Sequence, residues 1–192
     1  MNRSSGYTLV EVLIAVTVFA VLAATVYTAL NSLSDASWVQ RERAAELAQL
    51  QLAVARLDAD LRQLASRPIR EETGGLEPAL AGQRDRLAGT RAGWANPQGH
   101  KRSELQRFAW TLGGSALLRQ SWPVTDRTSA SPMQSEIVME GVAILEFRYH
   151  GPEGRWFDQW PIDEQSGALP LAVGYVLEAG RFGRIERIVV LP

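Results

Sequence analysis

From Tyr7 to Leu30 the chain runs for 24 residues with a single charged side chain, Glu11, and no other feature restricts its fold as strongly. At 1.5 Å of rise per residue a helix of this length reaches about 36 Å, enough to cross an apolar layer of about 30 Å. An ionised side chain at the middle of such a layer costs about 2.5 to 3.5 kcal/mol, so Glu11 requires a compensating partner. Arg3 is the one charged side chain before the run, and the next basic residues, Arg41 and Arg43, lie beyond it. The positive-inside rule then favours a cytoplasmic N-terminus and an exported remainder. A cleavable signal peptide, with Val21-Leu22-Ala23 as its cleavage site, is the competing reading. Such signals carry an uninterrupted apolar stretch of about 7 to 15 residues, whereas this run holds an acid near its start and continues past that site.

The hexapeptide ending in Gly6, the aromatic Tyr7, the Thr8-Leu9-Val10-Glu11 that follows and the apolar tail to Leu30 resemble a type IV prepilin-class leader. The resemblance implies that a membrane prepilin peptidase cuts after Gly6 and methylates the new terminal amine on Tyr7. That family usually has Phe at this position, and Tyr7 is a conservative departure. The spacing has its own physical meaning. After such a cut Tyr7 and Glu11 stand at i and i+4 on one helical face, about 6 Å apart along the axis. A buried carboxylate needs a cation, and a terminal amine is the nearest one this arrangement offers. The resemblance implies that the amine belongs to a neighbouring subunit, so that Glu11 sets the register of helices packed in a filament. A lone anchor whose acid snorkels to the headgroups would leave the Gly6-to-Glu11 string a coincidence.

Leader and span together take about 30 residues and leave about 160, enough for one domain with a real core. Basic and acidic residues are interleaved and the net charge is -1, so the chain carries no electrostatic footprint for nucleic acid. With no cysteine, disulfides, thiolate chemistry and cysteine-zinc sites are excluded together.

Beyond the span, Leu47, Leu50, Val54, Leu57, Leu61 and Leu64 recur at spacings of three and four, an apolar stripe with Glu46, Arg56, Asp58, Asp60 and Arg62 mostly off it. Arg67-Pro68 is expected to end this helix, and the polar stretch Asn31 to Ser37 to loosen it. Residues 73–99 are rich in Gly and Pro, with a short strand near Arg86 to Arg91. Phe108, Trp110 and Leu112 alternate with Arg107, Ala109 and Thr111, and after Gly113-Gly114 the segment Ala116 to Trp122 returns as a hairpin partner. Leu145, Phe147 and Tyr149 lead through Gly151-Pro152-Glu153-Gly154 into Arg155 to Trp160, a second hairpin. Leu171 to Leu177 and Arg184 to Leu191 form a third. One long helix followed by antiparallel hairpins predicts an α+β fold in which the helix stripe covers a sheet. The expected organisation is a leader over residues 1–6, a membrane and assembly helix over 7–30, an amphipathic continuation over 31–68 and an exported antiparallel β domain over 69–192.

Arg67-Pro68-Ile69-Arg70, Gly93-Trp94-Ala95-Asn96-Pro97, Leu105-Gln106-Arg107 before Trp110, Gly141-Val142 before Phe147, Trp160-Pro161 and Leu169 to Val173 occur in an order and spacing similar to the J-type minor pseudopilins of bacterial type II secretion. The resemblance implies a pilin-like fold, an inner-membrane anchor with a periplasmic body, and a place near the tip of the pseudopilus. It also implies I-type and K-type minor pseudopilins as partners, with H-type and the major G-type subunits below. The K-type subunit at the very tip of that family typically lacks the acid, so a chain that keeps Glu11 is expected beneath another subunit.

A minor pilin of a motility or DNA-uptake pilus would share the leader, and a membrane-anchored periplasmic enzyme would share the span. No nucleophile elbow, zinc-protease helix or phosphate loop occurs, and His100 and His150 read as solvated, so no catalytic residue and no cofactor are expected. Glu71-Glu72 and Asp163-Glu164 lack the oxygen-rich loop of a calcium site, and no metal is expected. Among the six tryptophans, Trp110 sits in a core-like alternation, whereas Trp94, Trp156 and Trp160 lie in or beside loops, as core-edge covers or interface anchors.

Overall fold

The computed structural model describes residues 7–70, 74–95, 97, 99, 102–126, 128, 131–162 and 167–192. Arg3, Gly6, Glu71, Glu72, His100, Asp163 and Glu164 lie outside the described residues. Helix α1 (Leu9–Arg62) is 54 residues long, and the chain divides into two units, Met1–Ala48 and Gln49–Pro192.

In the first unit every apolar side chain of the span is exposed, with Leu13, Phe19 and Leu22 more than half so, and its most apolar 18 residues have a mean hydropathy of 2.6. This helix is long and apolar enough to cross a membrane. Its threonine hydroxyls are satisfied within the helix. Thr17 Oγ1 donates to the Leu13 carbonyl at 2.7 Å, Thr25 Oγ1 to Val21 at 2.8 Å and Ser32 Oγ to Thr28 at 2.9 Å. The expected loosening at Asn31 to Ser37 does not occur, and α1 is continuous through it. Hydroxyls that fold back onto carbonyls one turn earlier, as Ser32 does, no longer compete for the helical backbone.

In the second unit α1 buries Leu50, Ala53, Leu57 and Leu61, and the stripe ends in buried Leu64. Two sheets receive it. Strands β3 (Leu80–Gly82), β4 (Arg86–Arg91), β5 (Gln106–Gly113), β6 (Ala116–Trp122) and β7 (Gln134–Met139) form an antiparallel five-stranded sheet in sequence order. Strands β8 (Val142–His150), β9 (Trp156–Phe157), β10 (Ala172–Ala179) and β11 (Gly183–Val190) form a four-stranded sheet in the order β11-β10-β8-β9, and β1 (Ile69–Arg70) pairs with β2 (Leu76–Glu77). The three expected hairpins are β5 with β6, β8 with β9 and β10 with β11. The helix leucines, Phe108, Trp110 and Leu117 of one sheet and Phe147, Val173, Tyr175 and Leu177 of the other form one core.

Further features of this unit depart from the pattern read in the sequence. Helix α1 stops at Arg62, short of Pro68, because the following residues pair with β4: Ala65 N–H donates to Thr90 O at 2.8 Å and Ala92 N–H to Gln63 O at 2.8 Å. Arg107, on the polar side of its alternation, is fully buried. Its Nη1 donates to the Pro78 and Ala79 carbonyls at 3.1 and 3.0 Å, and its guanidinium pairs with Glu77. Asp60, also expected to face water, is 1 % exposed.

The two acids of the helix tie it to the two sheets. Residues two apart on a helix point about 200° apart, so Asp58 and Asp60 face opposite ways. Asp58 accepts from Tyr175 OH and from Arg187 Nη2, both at 2.7 Å, on β10 and β11. Burial first, and then the bond to Asp58, push the Tyr175 phenol well above its ordinary range, so it stays a donor. Asp60 accepts from Arg91 Nη1 at 2.6 Å, Arg119 Nε at 2.7 Å and Trp110 Nε1 at 2.9 Å, on β4, β6 and β5.

The sheets also meet directly at Gly82 and Trp160, which exchange backbone hydrogen bonds of 2.8 Å in both directions. A Cβ on Gly82 would stand 2.0 Å from Tyr149 OH, so only glycine admits the buried Tyr149 ring at this junction. Trp160 is 4 % exposed and its Nε1 donates to the Ala168 carbonyl at 3.0 Å, which makes it a core residue. Trp156 is half-buried over Gly174, and His150 is half-buried with its ring 4.9 Å from that of Trp156.

Candidate functional site

The residues singled out at the N-terminus form a local structure of their own. Helix α1 begins at Leu9, so Thr8 occupies the capping position and Glu11 is the third helical residue. Thr8 N–H donates to Glu11 Oε2 at 2.9 Å, Thr8 Oγ1 donates to the same oxygen at 3.0 Å, and Glu11 N–H donates to Thr8 Oγ1 at 3.3 Å. This reciprocal arrangement is a capping box, in which the side chains at the first and fourth positions satisfy each other's backbone N–H groups. Those groups have no helical partner, and in an apolar layer no water replaces one.

Tyr7, the expected new terminus, is 89 % exposed, and Glu11 is exposed as well. Among the described residues Glu11 bonds to Thr8 rather than to Tyr7. The Thr8-x-x-Glu11 string was readable as a helix start from the sequence, because hydroxyl and carboxylate at that spacing are the capping-box signature. Its meaning was obscured by the second use of the same acid. Only Oε2 is engaged in the box, and Oε1 accepts no hydrogen bond among the described residues. The Thr8 N–H belongs to the peptide bond that follows Tyr7, so a cut after Gly6 leaves the box intact and places the new amine one residue from it.

In the second unit the described residues carry no group of three or more His, Asp and Glu side chains placed to hold a metal ion. Its buried polar residues act in packing: Asp60 joins helix to sheet, and Arg107 ties β5 to the segment before β3.

Comparison with known proteins divides the chain within its long helix. Residues 1–27 match the prokaryotic N-terminal methylation motif, and residues 28–191 match the family of type II secretion system protein J. The chain is 30 % identical to the type II secretion system protein J of Klebsiella pneumoniae, over all of this chain and 96 % of that one. To the protein of the same name from Vibrio cholerae it is 32 % identical, over 97 % of this chain and 87 % of that one. It is also similar to a chain in the crystal structure of the GspK-GspI-GspJ complex from the type 2 secretion system of enterotoxigenic Escherichia coli. The TM-score there is 0.66 and the identity 27 %, covering 76 % of this chain and 96 % of that one. A helix followed by antiparallel sheets is thus the pilin-like α+β fold, and the secretion reading prevails over that of a pilus subunit. From its methylation motif to its last strand, the chain belongs to the type II secretion system protein J family.

Proposed function

We propose that the chain is a minor pseudopilin whose N-terminus is at once its processing site and its assembly contact. The prepilin peptidase cuts after Gly6 and methylates Tyr7, and Glu11 then pairs with the terminal amine of an adjoining subunit in the inner membrane. The N-terminus is cytoplasmic and the sheets are periplasmic. The I-type and K-type minor pseudopilins are its tip partners, the H-type and major G-type subunits stand below, and the role is to start pseudopilus assembly for export across the outer membrane.

The observation that carries this reading is the half-used carboxylate. Thr8 holds Glu11 Oε2 from both its N–H and its hydroxyl, which fixes the side chain at the helix start and leaves Oε1 without a partner among the described residues. A carboxylate already oriented, with one oxygen open in an apolar layer, favours an ammonium donor from outside the chain. A capping role alone would be served equally by glutamine, since the box requires only an acceptor oxygen at that position. Glu11→Gln separates the two roles. It should leave membrane insertion and cleavage intact, while at least tenfold less I-type and K-type subunit co-purifies with the full-length chain from membranes. Unchanged co-purification in Glu11→Gln would reduce Glu11 to a helix cap.

A further inference from the structure

The Asp60 cluster has an outer side that the packing does not use. An open pocket of about 330 Å³ lies against it, lined by Arg56, Asp60, Arg91, Gln106, Arg119 and Gln134, with Ser121, Glu136 and Trp94 at its walls. Three guanidinium groups face two carboxylates there, which leaves one positive charge in excess. Arg56 Nη1 is matched by Glu136 Oε1 at 2.5 Å, so the excess falls on Arg91 and Arg119, which share Asp60 between them.

Both shared guanidiniums are held back from water, with side chains 19 % and 13 % exposed. Arg91 spends Nη1 on Asp60, and Arg119 spends Nε and Nη2 on Asp60 and Gln106. Arg91 Nη2 and Arg119 Nη1 keep their hydrogens without an acceptor among the described residues, and Arg91 Nε is buried in the same state. A half-buried positive charge with spare planar donors binds a planar monoanion best, because a fork of N–H groups matches the two oxygens of a carboxylate. A doubly charged phosphate would overshoot the single charge and add its own desolvation cost. The walls add neutral donors suited to the same guest: the Ser121 hydroxyl and the Gln106 and Gln134 amides.

We propose that this pocket is a carboxylate-binding site, independent of the N-terminal device. The guest is either a small free carboxylate or the acidic side chain of a neighbouring subunit, and both present the same group.

The test follows the indole N–H resonances of the ¹⁵N-labelled full-length chain in detergent micelles while sodium acetate replaces sodium chloride at constant ionic strength. Trp110 donates to Asp60 and Trp94 lines the pocket, so both should shift and saturate, while that of Trp38, exposed on α1, stays still. Gln134→Glu, at an exposed position on β7 that can hold an acid without disturbing the cluster, should weaken acetate at least tenfold. Inorganic phosphate should bind more weakly than acetate. Repeating the titration on the chain assembled with I-type and K-type subunits distinguishes the sources: loss of the acetate response assigns the guest to a subunit side chain, and its persistence assigns it to a free carboxylate. Shifts that never saturate, an equal response in Gln134→Glu, or tighter binding of phosphate would overturn the proposal.

Discussion

Replacing Asp60 by Asn keeps the shape of the side chain and removes its charge. Asp60 is 1 % exposed and accepts four hydrogen bonds: Arg91 Nη1 and Arg119 Nη2 on Oδ1 at 2.6 and 3.1 Å, and Arg119 Nε and Trp110 Nε1 on Oδ2 at 2.7 and 2.9 Å. Asparagine presents one acceptor oxygen and one NH₂, so two of the four donors would meet another donor. Two guanidiniums would also lose the carboxylate they share. Removing one partner of a buried ion pair costs about 3 to 5 kcal/mol. Because Arg91 and Arg119 are 19 % and 13 % exposed and can take up some water, the lower end applies, about 3 kcal/mol. Set against a total stability of about 5 to 15 kcal/mol, that is a large fraction. With urea slopes of about 1 to 3 kcal/mol per molar, the unfolding midpoint of the β unit should fall by about 1 to 3 M. The assay is a urea titration of the full-length chain in detergent, followed by near-ultraviolet circular dichroism of the tryptophans. Asp58→Asn is the control. It loses bonds from Tyr175 and from an Arg187 side chain that is 43 % exposed, and should cost only about 1 kcal/mol. A shift in Asp60→Asn no larger than in Asp58→Asn would refute the view that Asp60 holds the helix to the five-stranded sheet.

Gly82→Ala places a methyl group 2.0 Å from the hydroxyl of buried Tyr149, whose OH is fixed by a 3.0 Å bond to the Gln83 carbonyl, so the ring cannot yield freely. The same urea titration should show a loss of at least about 2 kcal/mol, the middle of the range for overpacked cores, and a variant of unchanged stability would contradict the close approach. Thr8→Ala removes one half of the capping box. A lost cap is worth about 1 kcal/mol, so the Glu11 amide should exchange its hydrogen about fivefold faster in micelles, and unchanged protection would mean that the Thr8 hydroxyl does not hold it.

Where the sequence was legible, one side of a segment carried an unmistakable period. Phe108 and Trp110 alternate because β5 has one face in the core, and the Leu50 to Leu64 stripe recurs at helical spacing because one face of α1 meets the sheets. The unread parts are those where polarity and burial disagree. Asp60 and Arg107 are charged and buried, and each is stable only because partners far away in sequence converge on it, which no local pattern reveals. Strand β7 was missed because its first four residues, Gln134 to Ile137, are exposed at the edge of the sheet and show no alternation. At the helix start the motif was visible but one of its members was not: Thr8 shares Glu11 with the role that the prepilin-like string suggested, and the second use hid the first.

The two ends of α1 thus use acids in different ways. Asp58 and Asp60 are fully engaged within the chain, whereas Glu11 is held by one oxygen and keeps the other open. What is proposed for that open oxygen, pairing with the terminal amine of an adjoining subunit, presupposes the cut after Gly6 that also frees the amine of Tyr7. Intact-mass analysis of the full-length chain, purified from membranes of cells that produce the secretion system, tests this most directly. The expected result is a mature protein that begins at Tyr7 and carries one methyl group on its terminal amine; a protein that still begins at Met1, or one that begins after Ala23, would contradict processing after Gly6.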